Sequence, residues 1–202
     1  TNNQWQILPH TPWFGDGGHS VFANNNPDEF FGLSNYSFCK SNNTSIDLNT
    51  PPYNNNSNNT LHLGLDIESD PSNNNNILLL LKDLWIYNRT TSLIESTPLF
   101  NNTSTTTLIS AVAVSVTGDT MYLALEGQNW SSPVGRFFKT INHGQSWTDI
   151  TASPGNACMG QTITSIAMSY TDANKVWVGL NGYWEQDNVP RYRVLYSTNG
   201  SV

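Results

Sequence analysis

The chain has 202 residues, of which 37% are hydrophobic, 11% aromatic and only 11% charged. That length supports a sizeable core, and a net charge of −7 offers no basic stripe for neutralising phosphates, so nucleic acid is excluded as a partner. The longest apolar run, residues 77–81, is far too short to cross a bilayer, so no membrane span is expected.

In chain order, Trp5-Gln-Ile-Leu8 reads as a lone strand that closes a preceding unit, and Pro9, Pro12 and Gly15 interrupt the pattern after it. The first full unit covers residues 16–52. Its expected strands are 19–23, 29–33, 36–40 and 46–48, with Asn24–Asp28 as the first turn. Residues 54–60 are too polar to pack and read as a solvated loop.

The second unit, 61–98, opens with strict alternation at Leu61, Leu63, Leu65 and Ile67. Residues 70–76 form its turn, 77–81 a strand buried on both faces, 84–87 its partner, and Leu93-Ile94 opens the fourth strand. The third unit, 108–151, is the most regular, with strands expected at 108–116, 120–125, 136–140 and 147–151. The fourth, 163–202, repeats the plan at 163–170, 175–180 and 193–196 and carries no fourth strand of its own.

One spacing organises these units. Thr140, Asn142, Gly144 and Trp147 follow the pattern Ser/Thr-x-Asp/Asn-x-Gly-x-x-Trp. The pattern encodes a hairpin: Asn142 folds its amide onto its own turn, Gly144 supplies a positive φ, and Trp147 lays a ring across the start of the next strand. Shorter copies, with Ser in the glycine position, stand at Ser41-Asn-Asn43-Thr-Ser45 and at Ser197-Thr-Asn199-Gly-Ser201. In the second unit the copy has decayed to Asn88-Arg-Thr-Thr-Ser92.

Aligning the first turns on Pro27, Ser72, Thr117 and Asp172 gives steps of 45, 45 and 55 residues. Steps of that size, with no helix-period segment, imply an all-β propeller of four-stranded antiparallel blades. Two arrangements fit the ends, a closed ring of four blades or a section of a larger propeller, and the second is preferred.

Ile163-Thr-Ser-Ile-Ala-Met168, Asp172-Ala-Asn-Lys-Val-Trp-Val-Gly179 and Val194-Leu-Tyr-Ser-Thr-Asn-Gly200 resemble the repeat of Asp-box (BNR-repeat) propellers. That group takes in sortilin-like receptors, sialidases, xyloglucanase-like glycoside hydrolases and exported bacterial surface proteins. Phe14-Gly-Asp-Gly-Gly18 with Asn26-Pro-Asp-Glu-Phe-Phe-Gly32 is similar to a segment of the bacterial, sortilin-like branch. The resemblance implies that the Asp-box residues (Ser41, Asn43, Thr140, Asn142, Gly144, Trp147, Ser197 and Asn199) are structural, at the outer rim of the blades. It implies little about activity, because one fold hosts many functions.

The resemblance also makes Asp16 the catalytic candidate, in a glycine-flanked segment comparable to an acid of xyloglucanase-type enzymes. An inverting glycosidase needs a second carboxyl group about 6.5–9.5 Å away, and Asp66, Asp119, Glu126 and Asp172 are the available carboxylates. A turn-capping role for Asp16 is the favoured alternative. Arg89, Arg136, Arg191 and Arg193 do not suffice for the arginine clamp of a sialidase.

His10, His19, His62 and His143 are scattered singly, and Asp70–Asn76 lacks the ordered ligands of a calcium loop, so no metal and no cofactor is expected. Trp130, Tyr183 and Trp184 fall in connections, where ligand-binding residues gather, and are the candidate ligand contacts.

Cys39 and Cys158, 119 residues apart, match no metal spacing and read as two separate buried thiols. Asn35, Asn43, Asn58, Asn88, Asn102 and Asn129 are candidate glycosylation sites. The chain lacks an initial Met and fits a processed, exported protein. The functional expectation is a non-catalytic secreted or cell-surface propeller that engages a glycan or another surface protein. A glycoside hydrolase is the first alternative, and a repeat subunit of a homo-oligomer or extracellular filament the second.

Overall fold

The structure is a computed structural model that describes residues 20–34, 37–41, 44–48, 66–102, 107–126, 135–152, 161–180 and 194–200. All regular elements among the described residues are strands. The first blade holds β1 (Ser20–Ala23), β2 (Asn26–Ser34), β3 (Ser37–Lys40) and β4 (Ser45–Asp47). The second holds β5 (Asp66–Ser69), β6 (Asn76–Leu80), β7 (Leu84–Asn88) and β8 (Leu93–Ile94). The third is β9 (Ile109–Val114), β10 (Met121–Leu125), β11 (Phe137–Thr140) and β12 (Thr148–Asp149). The fourth is β13 (Ile163–Met168), β14 (Val176–Leu180) and β15 (Val194–Ser197).

Each sheet is an antiparallel meander in sequence order. The first strands β1, β5, β9 and β13 lie side by side in succession, so they form the inner edge and the blades radiate from it. The chain is an all-β propeller of four antiparallel blades, as the repeat spacing requires.

The repeat is carried by hydrogen bonds at equivalent places. Asp70 N donates to Asn76 O, Ser115 N to Thr120 O and Ser169 N to Lys175 O, each closing the first turn of its blade. Counting from those closures puts Leu78, Tyr122 and Trp177 at one position of the second strand, and Phe31 matches them by its packing on the next blade.

The core is a stack of three inter-blade layers. Phe31, Leu33 and Phe38 of the first blade meet Ile77, Leu79 and Tyr87 of the second. The rings of Phe31 and Phe38 stack at 5.6 Å, and Tyr87 lies 4.7 Å from Phe38. On the far side of the second blade, Leu78 and Leu80 meet Leu123, Leu125 and Phe138. On the far side of the third, Tyr122, Ala124 and Phe137 meet Val176, Val178 and Leu180. A strand that feeds both layers is apolar on both faces, which is why residues 77–80 of β6 and all of β10 read as continuous runs.

Two expectations change, and a third is tested only in part. Asn26-Pro-Asp28 belongs to β2, because Ala23 pairs with Asn26 and the reversal is completed by Asn24-Asn25. The opening strand of the second blade is described only as Asp66–Ser69, with Leu61, Leu63 and Leu65 outside the described residues. The fourth strand of the third blade is short, Thr148–Asp149 rather than 147–151, because Trp147 turns its ring toward the preceding blade instead of extending the ladder.

Candidate functional site

Blades have two ends. At the turn end lie the first reversal of each blade and the reversal between its third and fourth strands. At the connection end lie the links between second and third strands and between blades.

At the turn end, Thr140 Oγ organises the outer turn of the third blade. It donates to Asn142 Oδ1 at 2.8 Å and accepts the backbone N–H of Gly144 at 3.1 Å. Asn142 Oδ1 also accepts Ser146 N at 3.0 Å, and Asn142 Nδ2 donates to Ser146 Oγ at 2.8 Å. His143 and Gly144 both adopt positive φ, 56° and 76°. A Cβ on Gly144 would stand 2.6 Å from Leu99 Cδ1, so glycine is required twice over, for conformation and for space.

Trp147 Nε1 donates to Leu99 O at 3.1 Å, and its ring sits edge-on to Phe100 at 5.3 Å. Both partners belong to the second blade, so the turn is a clamp between blades. His143 Nε2 reaches Asp119 Oδ1 at 2.6 Å, joining the two reversals of the third blade across an exposed surface.

The copy at Ser197 repeats the motif. Ser197 Oγ donates to Asn199 Oδ1 at 2.9 Å, Asn199 N donates back to Ser197 Oγ at 3.4 Å, and Gly200 takes φ 72°. Gly200 N donates to Asn174 O as His143 N donates to Asp119 O. Gly200 also touches the third blade, where Tyr122 Oη donates toward Gly200 O at 3.4 Å and Ala173 O at 3.3 Å. Burial, with a contribution from Asp172, pushes the Tyr122 hydroxyl up to about 12. Burial also holds Lys139, 5.2 Å above the same ring, below its ordinary range.

The copy at Ser41 differs. Ser41 N donates to Phe30 O, and Lys40 N already holds the returning chain by donating to Thr44 O at 2.9 Å. The reversal is therefore much shorter than that between Lys139 and Thr148, and leaves no room for a clamping residue ahead of β4. Asn43 lies outside the described residues. Leu48, at the Trp position by count, falls after β4 and is fully buried.

In the second blade Asn88 Oδ1 caps the turn by accepting Thr90 N at 2.9 Å and Thr91 N at 3.1 Å. The clamp here is Arg89, which pairs with Glu29 of the first blade and donates to Asn25 Oδ1 at 2.7 Å. Sequence reasoning missed this tie. Arg89 was visible only as a stray cation, and its partner lies 60 residues away.

Several of the described carboxylates have partners that the fold brings close. Asp66 accepts Ile67 N at 2.7 Å, Asp83 accepts Asn102 N at 2.7 Å, and Asp172 accepts Asn174 N at 3.0 Å. Asp70 is buried at the head of a turn whose next residues, 71–75, are exposed. It accepts Ser72 N, Ser72 Oγ and Asn76 Nδ2 at 2.9, 2.6 and 3.2 Å. Burial pushes the Asp149 carboxyl up, but hydrogen bonds from Thr151 and Arg136 outweigh it and hold it below the ordinary range.

Asp16, Trp130, Tyr183, Trp184, Asn35, Asn58, Asn129, Cys158, His10, His19 and His62 lie outside the described residues. The strand ends that flank two of those stretches are described. Leu125 and Phe137 in the third blade, and Leu180 and Val194 in the fourth, all stand at the connection end. Glu126, half-buried, follows β10 there and donates its backbone N–H to Leu108 O at 3.0 Å.

Asn102 is 2% exposed, and its Nδ2 donates to both Thr107 O and Thr107 Oγ. A glycan on that nitrogen is incompatible with this packing, which corrects the sequence expectation. Cys39 is a buried free thiol, and burial pushes it up from its ordinary value. No helix among the described residues is long and apolar enough to cross a membrane.

The architecture defines the class, a β-propeller, and solved structures agree. The chain is similar to the GH74 enzyme of Niastella koreensis, with TM-score 0.62, 16% identity, and coverage of 91% of this chain and 28% of that one. It is also similar to an ancestral GH74 enzyme, with TM-score 0.57, 19% identity, and coverage of 100% and 25%. A third is the extracellular domain of a protein described as a hybrid two-component system from B. thetaiotaomicron, with TM-score 0.53, 14% identity, and coverage of 88% and 21%. The chain thus spans about a quarter of the length of these structures, and at such identities the likeness is one of fold. No family model and no curated protein matches it.

Proposed function

We propose that the chain is a non-catalytic, secreted or cell-surface propeller that serves adhesion, assembly or recognition of a glycan or another surface protein. The observation that carries this reading is the employment of six of the described carboxylates. Asp66, Asp70, Asp83, Asp119, Asp149 and Asp172 each cap a turn or strand end, or pair with a neighbouring side chain. A glycosidase instead needs two carboxyl groups facing each other across the sugar.

In this reading the Thr140 and Ser197 turns are Asp-box turns with a purely structural task, of the sortilin-like or xyloglucanase-like kind. Recognition belongs to the connection end, through Trp130, Tyr183 and Trp184, whose flat rings suit stacking on sugar faces. Low charge and a surface rich in Asn, Ser and Thr support an exported protein, as does the likeness to an extracellular domain. The partial span of its structural neighbours supports a section of a larger propeller.

A glycan array tests the recognition reading: binding is expected to fall at least tenfold in Trp130→Ala and Trp184→Ala. Unchanged binding removes those rings from the site. The second reading, a glycoside hydrolase, is favoured by the half-buried Glu126 at the connection end. Hydrolysis of an oligosaccharide by the wild type, abolished in Asp16→Asn or Glu126→Gln, would replace the first reading with the second.

A further inference from the structure

The sequence holds several Asn-x-Ser/Thr triplets, and the fold separates them. In Asn88-Arg89-Thr90 all three residues are described. The triplet lies in the outer turn of the second blade, in the place that Thr140 and its neighbours fill in the third.

Asn88 closes β7. Its backbone pairs with Asn76 on one side and with Leu93 on the other, so both neighbouring strands hold it. Asn76 O closes the first turn of its blade, as Thr120 O and Lys175 O do in the next two. Counting from those closures, Asn88 stands where the third blade has Ile141 and the fourth has Thr198. Ile141 is 71% exposed, and Thr198 is exposed as well. Asn88 itself is half-buried, and Thr90 is exposed. Arg89, the middle residue, is drawn away to Glu29 and Asn25 of the first blade.

The two ends of the Asn88 amide are used differently. Oδ1 accepts Thr90 N at 2.9 Å and Thr91 N at 3.1 Å, while among the described residues nothing accepts a hydrogen bond from Nδ2. Asn102 is the opposite case, buried and with its Nδ2 donating to Thr107 O and Thr107 Oγ. A saccharide on an asparagine replaces one hydrogen of Nδ2 and leaves Oδ1 an acceptor. Asn88 can therefore carry one and still cap its turn.

We propose that Asn88 is an N-glycan acceptor at the rim of the second blade. In the transfer, Nδ2 bonds to the anomeric carbon of an oligosaccharide carried on a lipid diphosphate. The anomeric C–O bond breaks, the lipid diphosphate leaves with the bonding electrons, and Nδ2 gives up one proton to it. That donor is met during export, so the proposal rests on the reading of an exported protein. The acceptor is at the turn end, opposite the connection end to which recognition is assigned, so the glycan shields the rim and leaves the recognition end clear.

The test expresses the 202-residue chain behind a supplied leader in secreting eukaryotic cells, and reads secreted and cell-retained chain by mass spectrometry. Asn88 is expected to carry a glycan in most molecules, with Asp left at that position after enzymatic release, and Asn102 is expected to be bare in the secreted chain. Thr90→Ala destroys the triplet but keeps the backbone N–H that Asn88 caps. It is expected to lose the glycan at Asn88 and keep the wild-type circular dichroism, whereas Thr90→Ser is expected to retain the glycan.

A bare Asn88 in both fractions overturns the proposal, and so does a glycan on Asn88 that persists in Thr90→Ala. Occupied Asn102 in folded, secreted chain overturns the use of amide contacts to separate the two sites. Locating the chain in its own source tests the export reading separately. Confinement to the cytosol overturns that reading, whereas a bare Asn88 in secreting cells overturns this one.

Discussion

The outer turns of the second and third blades do one job with different chemistry. Each returns the chain at the rim, and each sends one long side chain back to the preceding blade. In the third blade that side chain is Trp147, with one hydrogen bond to Leu99 O and an aromatic contact to Phe100. In the second it is Arg89, paired with Glu29 and hydrogen-bonded to Asn25.

The turn residues follow from the clamp. An indole must be lifted over the rim, so the third-blade turn is long and internally braced by Thr140, Asn142 and Ser146. A guanidinium reaches by itself, so Asn88 alone caps a turn that stays paired up to Leu93. The motif is thus one way among several to fasten neighbouring blades.

The comparison can be broken most strongly at the tryptophan. Trp147→Ala is expected to cost about 3 kcal/mol, because a large ring leaves a packed interface. Trp147→Phe is expected to cost about 1 kcal/mol, chiefly the hydrogen bond. Chemical denaturation measures both, and equal losses would mean that the ring area is not what clamps.

Gly144→Ala is expected next, at about 2 kcal/mol, since it combines a strained φ with a Cβ that meets Leu99. Leu99→Ala in the same background would relieve the steric part, and a double-mutant cycle measures the coupling. Arg89→Met is expected to cost about 1–2 kcal/mol at low salt and less at high salt, because the pair is only partly buried. The Trp147 variants are expected to show no such salt dependence, and a salt-independent Arg89→Met would show that its pairing with Glu29 contributes nothing. Thr140→Ala is expected to cost about 1 kcal/mol, in line with loss of a capping hydroxyl.

The smallest effect at neutral pH is expected for Tyr122→Phe, whose hydroxyl makes only long hydrogen bonds. At alkaline pH the sign is definite. The unfolded tyrosine gives up its proton near 10, while the folded one holds it to about 12. The folded state therefore binds more protons between those values, and stability falls as pH rises through that window. Tyr122→Phe is expected to abolish this loss in pH-dependent denaturation. A wild-type profile that stays flat across the window would show that the burial of Tyr122 does not act in this way.

Much of the fold was legible because two local signals agree. Leu93-Ile94 as the opening of a fourth strand, and residues 77–81 as a strand buried on both faces, follow from apolar content between polar turns, and β8 and β6 lie there. The Asn26-Pro-Asp stretch misled because turn-forming residues also end strands at a two-residue reversal, and side-chain type does not distinguish the two. Ser41 misled in another way. It has the spacing of the motif, but where a turn closes depends on the backbone partner that reaches it first, here Thr44 O.

Asn102 matches a glycosylation pattern that carries no information about burial. At the candidate ligand-binding residues the sequence offered aromatic character in connections. The structure describes the strand ends that flank Trp130 and those that flank Tyr183 and Trp184, all at one end of their blades.

What the sequence determined by itself is the unit: alternating apolar residues separated by turn residues with the backbone freedom to reverse, repeated at the step of a four-stranded blade. Those are local properties, set by neighbouring residues through sterics and hydrogen bonds. The tertiary structure alone decided which face of each strand meets which blade, that Arg89 finds Glu29 and Trp147 finds Leu99, and that Trp177 stays uncovered where Tyr122 is enclosed. Those are relations between residues far apart in the chain, fixed by the stacking of whole sheets.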